Sequence, residues 1–77
     1  MTFLTDNQLR LLKAIALENI VAQPLSNEFA KKYELPNSSS IKKALDVLKE
    51  KDLIYQGQRG YFIYDRFLDL WLKRTFY

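Results

Sequence analysis

The chain has 77 residues, of which 48% are hydrophobic and 27% charged, with a formal net charge of +3 and a pI near 9.3. This length supports one domain, residues 1–77, with roughly 60–65% of the unfolded surface buried and no room for a second core. Cysteine and histidine are absent and only two glycines are present, which excludes the common metal sites, Ser-His-Asp or Cys-His catalytic groups and glycine-rich phosphate loops. We therefore expect a non-catalytic domain with no metal and no cofactor.

The hydropathy of the chain indicates no membrane partner. No apolar run approaches the ~20 residues that a helix needs to cross a bilayer, and no secretory signal pattern is visible at the N-terminus. Without cysteine, no disulfide can support the fold. These features together predict a cytoplasmic protein.

The first predicted helix begins after Thr5. Thr5 and Gln8 have the capping-box spacing, in which each side chain satisfies the backbone amide of the other residue. The helix should end near residues 17–19. Residues 20–24 are short and rich in β-branched side chains, so they predict a brief extended connection or one edge strand.

The second and third predicted helices form a pair. Ser26 is the N-cap of a short helix over residues 27–34. After a tight turn, Asn37 or Ser38 caps a longer helix that runs to Lys51. Two helices joined by a short turn, with the second longer, form a helix-turn-helix. The inner face of the longer helix consists of Ile41, Ala44, Leu45 and Leu48.

The remainder of the chain predicts a hairpin and a last helix. Residues 53–56 and 61–64 are strand-like, and residues 57–60 between them supply two glycines for a four-residue loop. Asp65 should cap a final helix over residues 66–75.

The order of these elements defines the fold class. Alternation along the second strand places Tyr61 and Ile63 on one face, which we expect to be the core face, and Phe62 and Tyr64 on the other. The sequence thus predicts a small, mainly α (α+β) winged helix-turn-helix, with three helices, a two-stranded wing and a C-terminal helix.

Several stretches of the chain resemble one particular kind of winged helix. They are Leu-Leu-Lys-Ala-Ile-Ala at 11–16, Ser-x-Glu-Phe-x-Lys-Lys-Tyr at 26–33, Ser-Ser-Ile-Lys-Lys-Ala-Leu at 39–45, Glu-Lys-Asp-Leu-Ile at 50–54 and Tyr-Asp-Arg-Phe-Leu-Asp-Leu-Trp-Leu at 64–72. Over nearly its whole length the chain is similar to the C-terminal winged-helix domain of prokaryotic, archaeal-type AAA (P-loop) ATPases. This resemblance implies an accessory module of a longer ATPase. The resemblance also implies that the ATP site lies in a preceding P-loop domain, and this chain itself has no Walker motif.

One functional hypothesis is that the domain binds double-stranded DNA, with the helix over residues 37–51 in the major groove and the wing tip, 57–60, on the backbone. Residues 38–60 carry five bases and three acids, a net charge of +2. However, Asp46 and Glu50 lie on the same outer face and would repel phosphates. The candidate DNA-binding residues are Ser38, Ser39, Lys42, Lys43 and Arg59.

The other hypothesis is protein docking through the last helix. In this helix Arg66, Asp69 and Lys73 form one narrow polar stripe, and most of the remaining circumference is apolar. Large aromatic side chains left on a surface mark interfaces, and the partner would be the parent ATPase domain or a second copy of the chain. Alternatively, Trp71 and Phe67 could complete the small core. The candidate interface residues are Phe67, Leu70, Trp71 and Phe76.

Overall fold

Helices surround a short hairpin in the order that the sequence predicts. The computed structural model describes residues 4–75 of the chain, with the side chains of residues 4–74. Within that part the elements are α1 (Asp6–Glu18), α2 (Asn27–Lys32), α3 (Ser38–Glu50), β1 (Tyr55–Gly57), β2 (Gly60–Phe62) and α4 (Arg66–Thr75). This is the predicted small winged helix-turn-helix arrangement.

The two longest helices begin at the predicted caps. At α1, the Gln8 amide donates to Thr5 Oγ1 at 3.2 Å and the Thr5 amide donates to Gln8 Oε1 at 3.0 Å, which completes the capping box. At α3, the Ser40 amide donates to Asn37 Oδ1 at 2.9 Å, so Asn37 rather than Ser38 is the N-cap.

The short helix α2 also begins as predicted, but it ends two residues earlier. Ser26 Oγ accepts from the Phe29 amide at 3.2 Å. At the other end, Glu34 has φ 52, and the Leu35 amide donates to the Ala30 carbonyl at 2.8 Å. This is the hydrogen-bond pattern of a Schellman motif, with Glu34 in the position that glycine usually occupies. The left-handed residue terminates the helix before residue 34.

The core lies around α1, which packs against α3, α4 and β2. The predicted inner face of α3 is confirmed, since each of its four residues is buried. These residues belong to one buried cluster that also includes side chains of the other helices and of the extended connection. The buried apolar residues are Leu11, Leu12, Ala14, Ile15, Ala16, Val21, Phe29, Ile41, Ala44, Leu45, Leu48, Ile54 and Leu72.

The hairpin is shifted relative to its prediction. Gly57 pairs with Gly60 in the antiparallel ladder, which leaves a loop of two residues instead of four. The prediction that the first strand begins at Leu53 is wrong, because the Leu53 amide donates to the Leu48 carbonyl at 3.0 Å and closes the end of α3. The second strand ends at Phe62 rather than at residue 64.

The extended connection after α1 pairs with the hairpin. The Val21 amide donates to the Tyr61 carbonyl at 2.9 Å, and the Tyr61 amide donates to the Val21 carbonyl at 2.8 Å. The predicted extended segment is therefore confirmed as a single bridge beside β2. Tyr61 and Ile63 pack against the core, as alternation predicts.

Candidate interaction surfaces

Helix α4 is fixed against the body of the domain along one side. Asp65 Oδ1 accepts from the Phe67 amide at 2.9 Å, which caps the helix as predicted. Leu72 is fully buried, and Leu68 is partly buried against the core. Since α4 packs on α1, these two leucines define its inner side.

A polar contact also holds α4 near its C-terminal end. Lys73 Nζ donates to Asn19 Oδ1 at 2.7 Å and to Asp69 Oδ2 at 3.0 Å. Asn19 is the C-cap of α1, so this lysine joins the end of one helix to the side of the other. The side chains of Lys73 and Asp69 are only 29% and 24% exposed. This packing fixes the rotation of α4 about its own axis.

The opposite side of α4 presents large apolar side chains to solvent. Phe67 is 86% exposed, Leu70 is 61% exposed and Trp71 is 46% exposed. Their spacing of i, i+3 and i+4 places them on one face of the helix, which we call the α4 outer face. The alternative prediction, that Phe67 and Trp71 complete the core, is wrong for Phe67, and Trp71 is only about half covered. Phe76, the fourth candidate interface residue, lies outside the described residues.

The surroundings of the α4 outer face are basic. Its three apolar side chains, with Lys73 and Arg74, line a shallow hollow among the described residues. Arg66 and Arg74 are both exposed. Within residues 4–74 neither arginine has an ion-pair partner. The outer face is thus apolar at its centre, with a cation at each end that makes no ion pair within residues 4–74.

The candidate DNA-binding residues all lie at the surface. Four of them are on the exposed side of α3, and the fifth, Arg59, is in the two-residue loop at the tip of the hairpin. Within residues 4–74 no ion pair joins Arg59 to α3. The four on α3 are Ser38, Ser39, Lys42 and Lys43.

The lysines of α3 differ in how far they are engaged. Lys42 Nζ lies 4.0 Å from Asp46 Oδ1, an exposed pair at the long limit of an ion pair. Lys49 donates to Gln56 Oε1 at 3.4 Å and lies 5.8 Å from the centre of the Tyr61 ring, so it holds the wing. Within the described residues Lys43 has no ion pair. It is the α3 cation best placed to meet a phosphate.

Acidic groups interrupt this surface. Lys42, Asp46, Leu45 and Tyr61 line a groove between α3 and residues 22–26. Asp46 therefore lies in the groove that borders the helix-turn-helix. Glu50 adds a second exposed carboxylate in the last turn of α3. A nucleic acid seated here would meet at least two carboxylates.

A second group of exposed aromatic residues, which was not identified from the sequence, lies on the outer side of the wing. Tyr55 is 42% exposed and Tyr64 is 74% exposed, with ring centres 5.7 Å apart. Phe62 lies 6.3 Å from Tyr55. The alternation that sends Tyr61 and Ile63 inward was the signal that could have identified these rings.

Another cluster links α1 to α2 and has no place in either functional hypothesis. Glu18 Oε2 accepts from Tyr33 Oη at 2.6 Å and from Lys32 Nζ at 2.9 Å. The hydrogen bond from Tyr33 lowers the pKa of Glu18 most, and the hydrogen bond from Lys32 lowers it further. Burial, reinforced by the Glu18 carboxylate, raises the pKa of Tyr33. These hydrogen bonds tie the end of α1 to the end of α2, and we call this cluster the Glu18 clamp. Within the described residues no group of three acidic side chains could hold a metal ion.

The fold and the surfaces define the class of protein. A helix-turn-helix followed by a two-stranded hairpin beside the longer helix is a winged helix. The chain belongs to the family described as a probable winged helix domain, whose model matches residues 1–74. No curated protein and no solved structure showed significant similarity to the chain. None of the helices among the described residues is long and apolar enough to cross a membrane.

Proposed function

We propose that this winged-helix domain is a non-catalytic accessory module that docks on a protein surface through the α4 outer face. The supporting observation is the exposure of Phe67, Leu70 and Trp71 on the side of α4 that faces away from α1. Apolar side chains placed together on a surface favour association, because covering them removes apolar area from water. Aromatic residues are also over-represented among the residues that dominate binding energy.

The partner that we propose first is the ATPase domain of a longer AAA protein, or alternatively a second copy of the domain. The similarity of residues 64–72 to the C-terminal module of archaeal-type AAA ATPases supports this partner, and these residues include the α4 outer face. In such an arrangement the domain would regulate or position the ATPase. The ATPase active site would then lie in the partner domain. The whole protein would be cytoplasmic.

Duplex DNA binding is the alternative, and one observation favours it. Lys43 and Arg59 are exposed cations without ion pairs within residues 4–74, on the helix and the wing that a winged helix uses for DNA. It ranks second because Asp46 and Glu50 are exposed on the same helix as Lys43, and because Lys42 and Lys49 already have partners in the domain.

A pair of titrations separates the two functions. Isotope-labelled domain is titrated with mixed-sequence duplex DNA at about 50 mM salt, where binding to phosphates is strongest, and separately with the ATPase domain encoded with it. We expect the ATPase domain to shift the amide signals of residues 66–74, and the DNA to produce no shifts in residues 38–46 or 57–60.

Matched variants assign the result to a surface. Phe67→Ser combined with Leu70→Ser should abolish binding of the ATPase domain and leave the fold unchanged, since both side chains are exposed. Lys43→Glu is the control, which should not affect docking. The reverse outcome, DNA-induced shifts around residue 43 that Lys43→Glu removes, would establish the alternative. A docking signal unaffected by the double serine variant would overturn the proposed surface.

A further inference from the structure

The charges at the two ends of the α4 outer face are both positive. Arg66 precedes Leu70 by one helical turn, and Arg74 follows Phe67 by two turns, so both arginines border the apolar side chains on the same side of the helix. The acids of α4 and of its N-cap lie elsewhere. Asp65 uses an oxygen to cap the helix, and Asp69 pairs with Lys73 at the inner edge.

The apolar patch is small compared with a stable interface. If about 200 Å² is taken for a full-size apolar side chain, the three residues together expose about 400 Å². A stable complex covers about 800 Å² on each partner. The patch therefore needs further favourable contacts around its border, and the exposed cations Arg66 and Arg74 lie there.

These arginines disfavour a second copy of the chain as the partner. In a two-fold pair with antiparallel α4 helices, Arg66 of each copy would approach Arg74 of the other. In a two-fold pair with parallel helices, each arginine would approach its own equivalent. Either arrangement places like charges together at the border of the interface, with no α4 carboxylate to compensate.

We propose that the α4 outer face binds a partner surface of complementary chemistry, an apolar stripe bordered by carboxylates, of which an acidic amphipathic helix is the simplest form. Leu70 and Phe67 would enter the apolar stripe, while Arg66 and Arg74 pair with the carboxylates at its two ends. This inference rests on the proposed docking function and adds the charge and the shape of the partner. It also excludes self-association as the main use of this face.

Two synthetic peptides test the charge requirement. One is an amphipathic helix with leucines at i, i+3, i+4 and i+7 flanked by glutamates, and the other carries lysines in place of the glutamates. Trp71 is the only tryptophan of the chain, so a shift of its fluorescence reports binding at this face. We expect the glutamate peptide to bind about tenfold more tightly than the lysine peptide, since two exposed ion pairs are made with one and two repulsions with the other.

Charge reversal supplies the matched control. Arg66→Glu combined with Arg74→Glu should invert the preference, so that the lysine peptide binds more tightly. Lys43→Glu combined with Arg59→Glu changes the net charge equally at exposed positions elsewhere, and it should preserve the preference for glutamate. Raising the salt to about 0.5 M should shrink the difference between the peptides, because exposed charges are screened.

The other outcomes are distinct. Equal binding of both peptides, or loss of the preference in the Lys43/Arg59 control, would overturn the charge requirement but leave docking by the apolar residues standing. Failure of both peptides to shift the Trp71 fluorescence would overturn this inference, while shifts of residues 66–74 by the ATPase domain would still support docking. A dimer in sedimentation that Leu70→Ser dissociates would make a second copy the partner and overturn the inference.

Discussion

Gly60 occupies a backbone position that no other residue fits. Its φ is 135°, and a Cβ built on it would lie 2.3 Å from the Val21 carbonyl oxygen and 2.8 Å from the Ala22 Cα. These neighbours are backbone atoms of the extended connection, which cannot move away without breaking the bridge between Val21 and Tyr61. Glycine here therefore permits the wing to lie against that connection.

Replacing this glycine should destabilise the domain. Gly60→Ala combines an unfavourable φ with a clash against backbone, and we expect a loss of about 2–4 kcal/mol in the free energy of unfolding. Gly57→Ala is the matched control, since its Cβ would be 3.1 Å from an atom of the Phe62 ring, a side chain that can shift. Urea unfolding of both variants measures the difference. Equal losses would contradict the role of the close contact.

The Glu18 clamp makes the stability depend on pH. The pKa of Glu18 is lowered in the folded state from an ordinary value of 4.5 by its hydrogen bonds from Tyr33 and Lys32. The carboxylate thus stabilises the fold above pH 4.5, and this contribution disappears as the pH falls through the lower folded pKa. Stability that depends on this group is lost in acid.

Glu18→Gln isolates that contribution. We expect the variant to unfold at a lower urea concentration than the unmodified chain at about pH 7, and the two midpoints to converge as the pH falls below 4.5 through the lowered folded pKa of Glu18. Glu28→Gln, at an exposed position in α2, controls for the loss of one negative charge. If the difference in urea midpoint between Glu18→Gln and the unmodified chain did not change with pH, the clamp would be contradicted.

Two residues with positive φ explain why the ends of α2 and α3 could not be predicted. Glu34 and Asp52 have φ values of 52° and 59°, and each closes a helix through the hydrogen bonds of a Schellman motif. Glycine is the usual signal for such an end, and neither position contains it. The sequence therefore does not predict that α2 ends at Lys32 or that Leu53 belongs to the end of α3.

At the scale of elements, the rotation of α4 is the feature on which the docking proposal depends. The same residue type occurs on both sides of this helix, with Leu72 fully buried and Leu70 61% exposed. Leucine and alanine have similar helix propensities. Substitution of each leucine by alanine thus measures burial with little effect on the helix itself.

The two alanine variants should therefore behave very differently. Leu72→Ala should lower the free energy of unfolding by about 3 kcal/mol, because it leaves a cavity against α1. Leu70→Ala should change it by less than about 0.5 kcal/mol. Thermal or urea unfolding followed by circular dichroism provides the measurement. Similar losses in both variants would show that α4 is rotated differently and that its outer face is covered.

The elements differed in how well the sequence predicted them. The bounds of α4 were predicted correctly, and so were the N-caps of α1 and α2, because Thr5, Ser26 and Asp65 act within their own first turn. The hairpin was misplaced, since its register depends on where α3 ends and on the approach of Gly60 to the Val21 segment. Both of these are contacts between parts of the chain that are distant in sequence.

At the scale of the whole molecule, charge alone does not define a function. The chain carries a net charge of +3, and the excess over residues 38–60 agrees with the charge of many DNA-binding domains. In the structure, several of these cations make contacts within the domain. Lys49 holds the wing, Lys42 approaches Asp46, and Lys73 fixes α4.

The α4 outer face could be predicted only in part, because its composition depends on how α4 packs. Phe67, Leu70 and Trp71 were identified as interface candidates because α4 is apolar around most of its circumference. The basic border formed by Arg66 and Arg74 was not identified, because its meaning depends on which side of α4 faces solvent. The aromatic residues on the wing, Tyr55 and Tyr64, were missed as a group.

The sequence by itself determined the order of the elements, the starts of the helices and the inner face of α3. These follow from capping residues and apolar periodicity, which act over a few residues at a time. Only the tertiary structure decided which side of α4 is covered. A helix that is apolar nearly all round gives no local indication of its orientation, and the packing of Leu72 on the core with the Lys73–Asn19 contact fixes it.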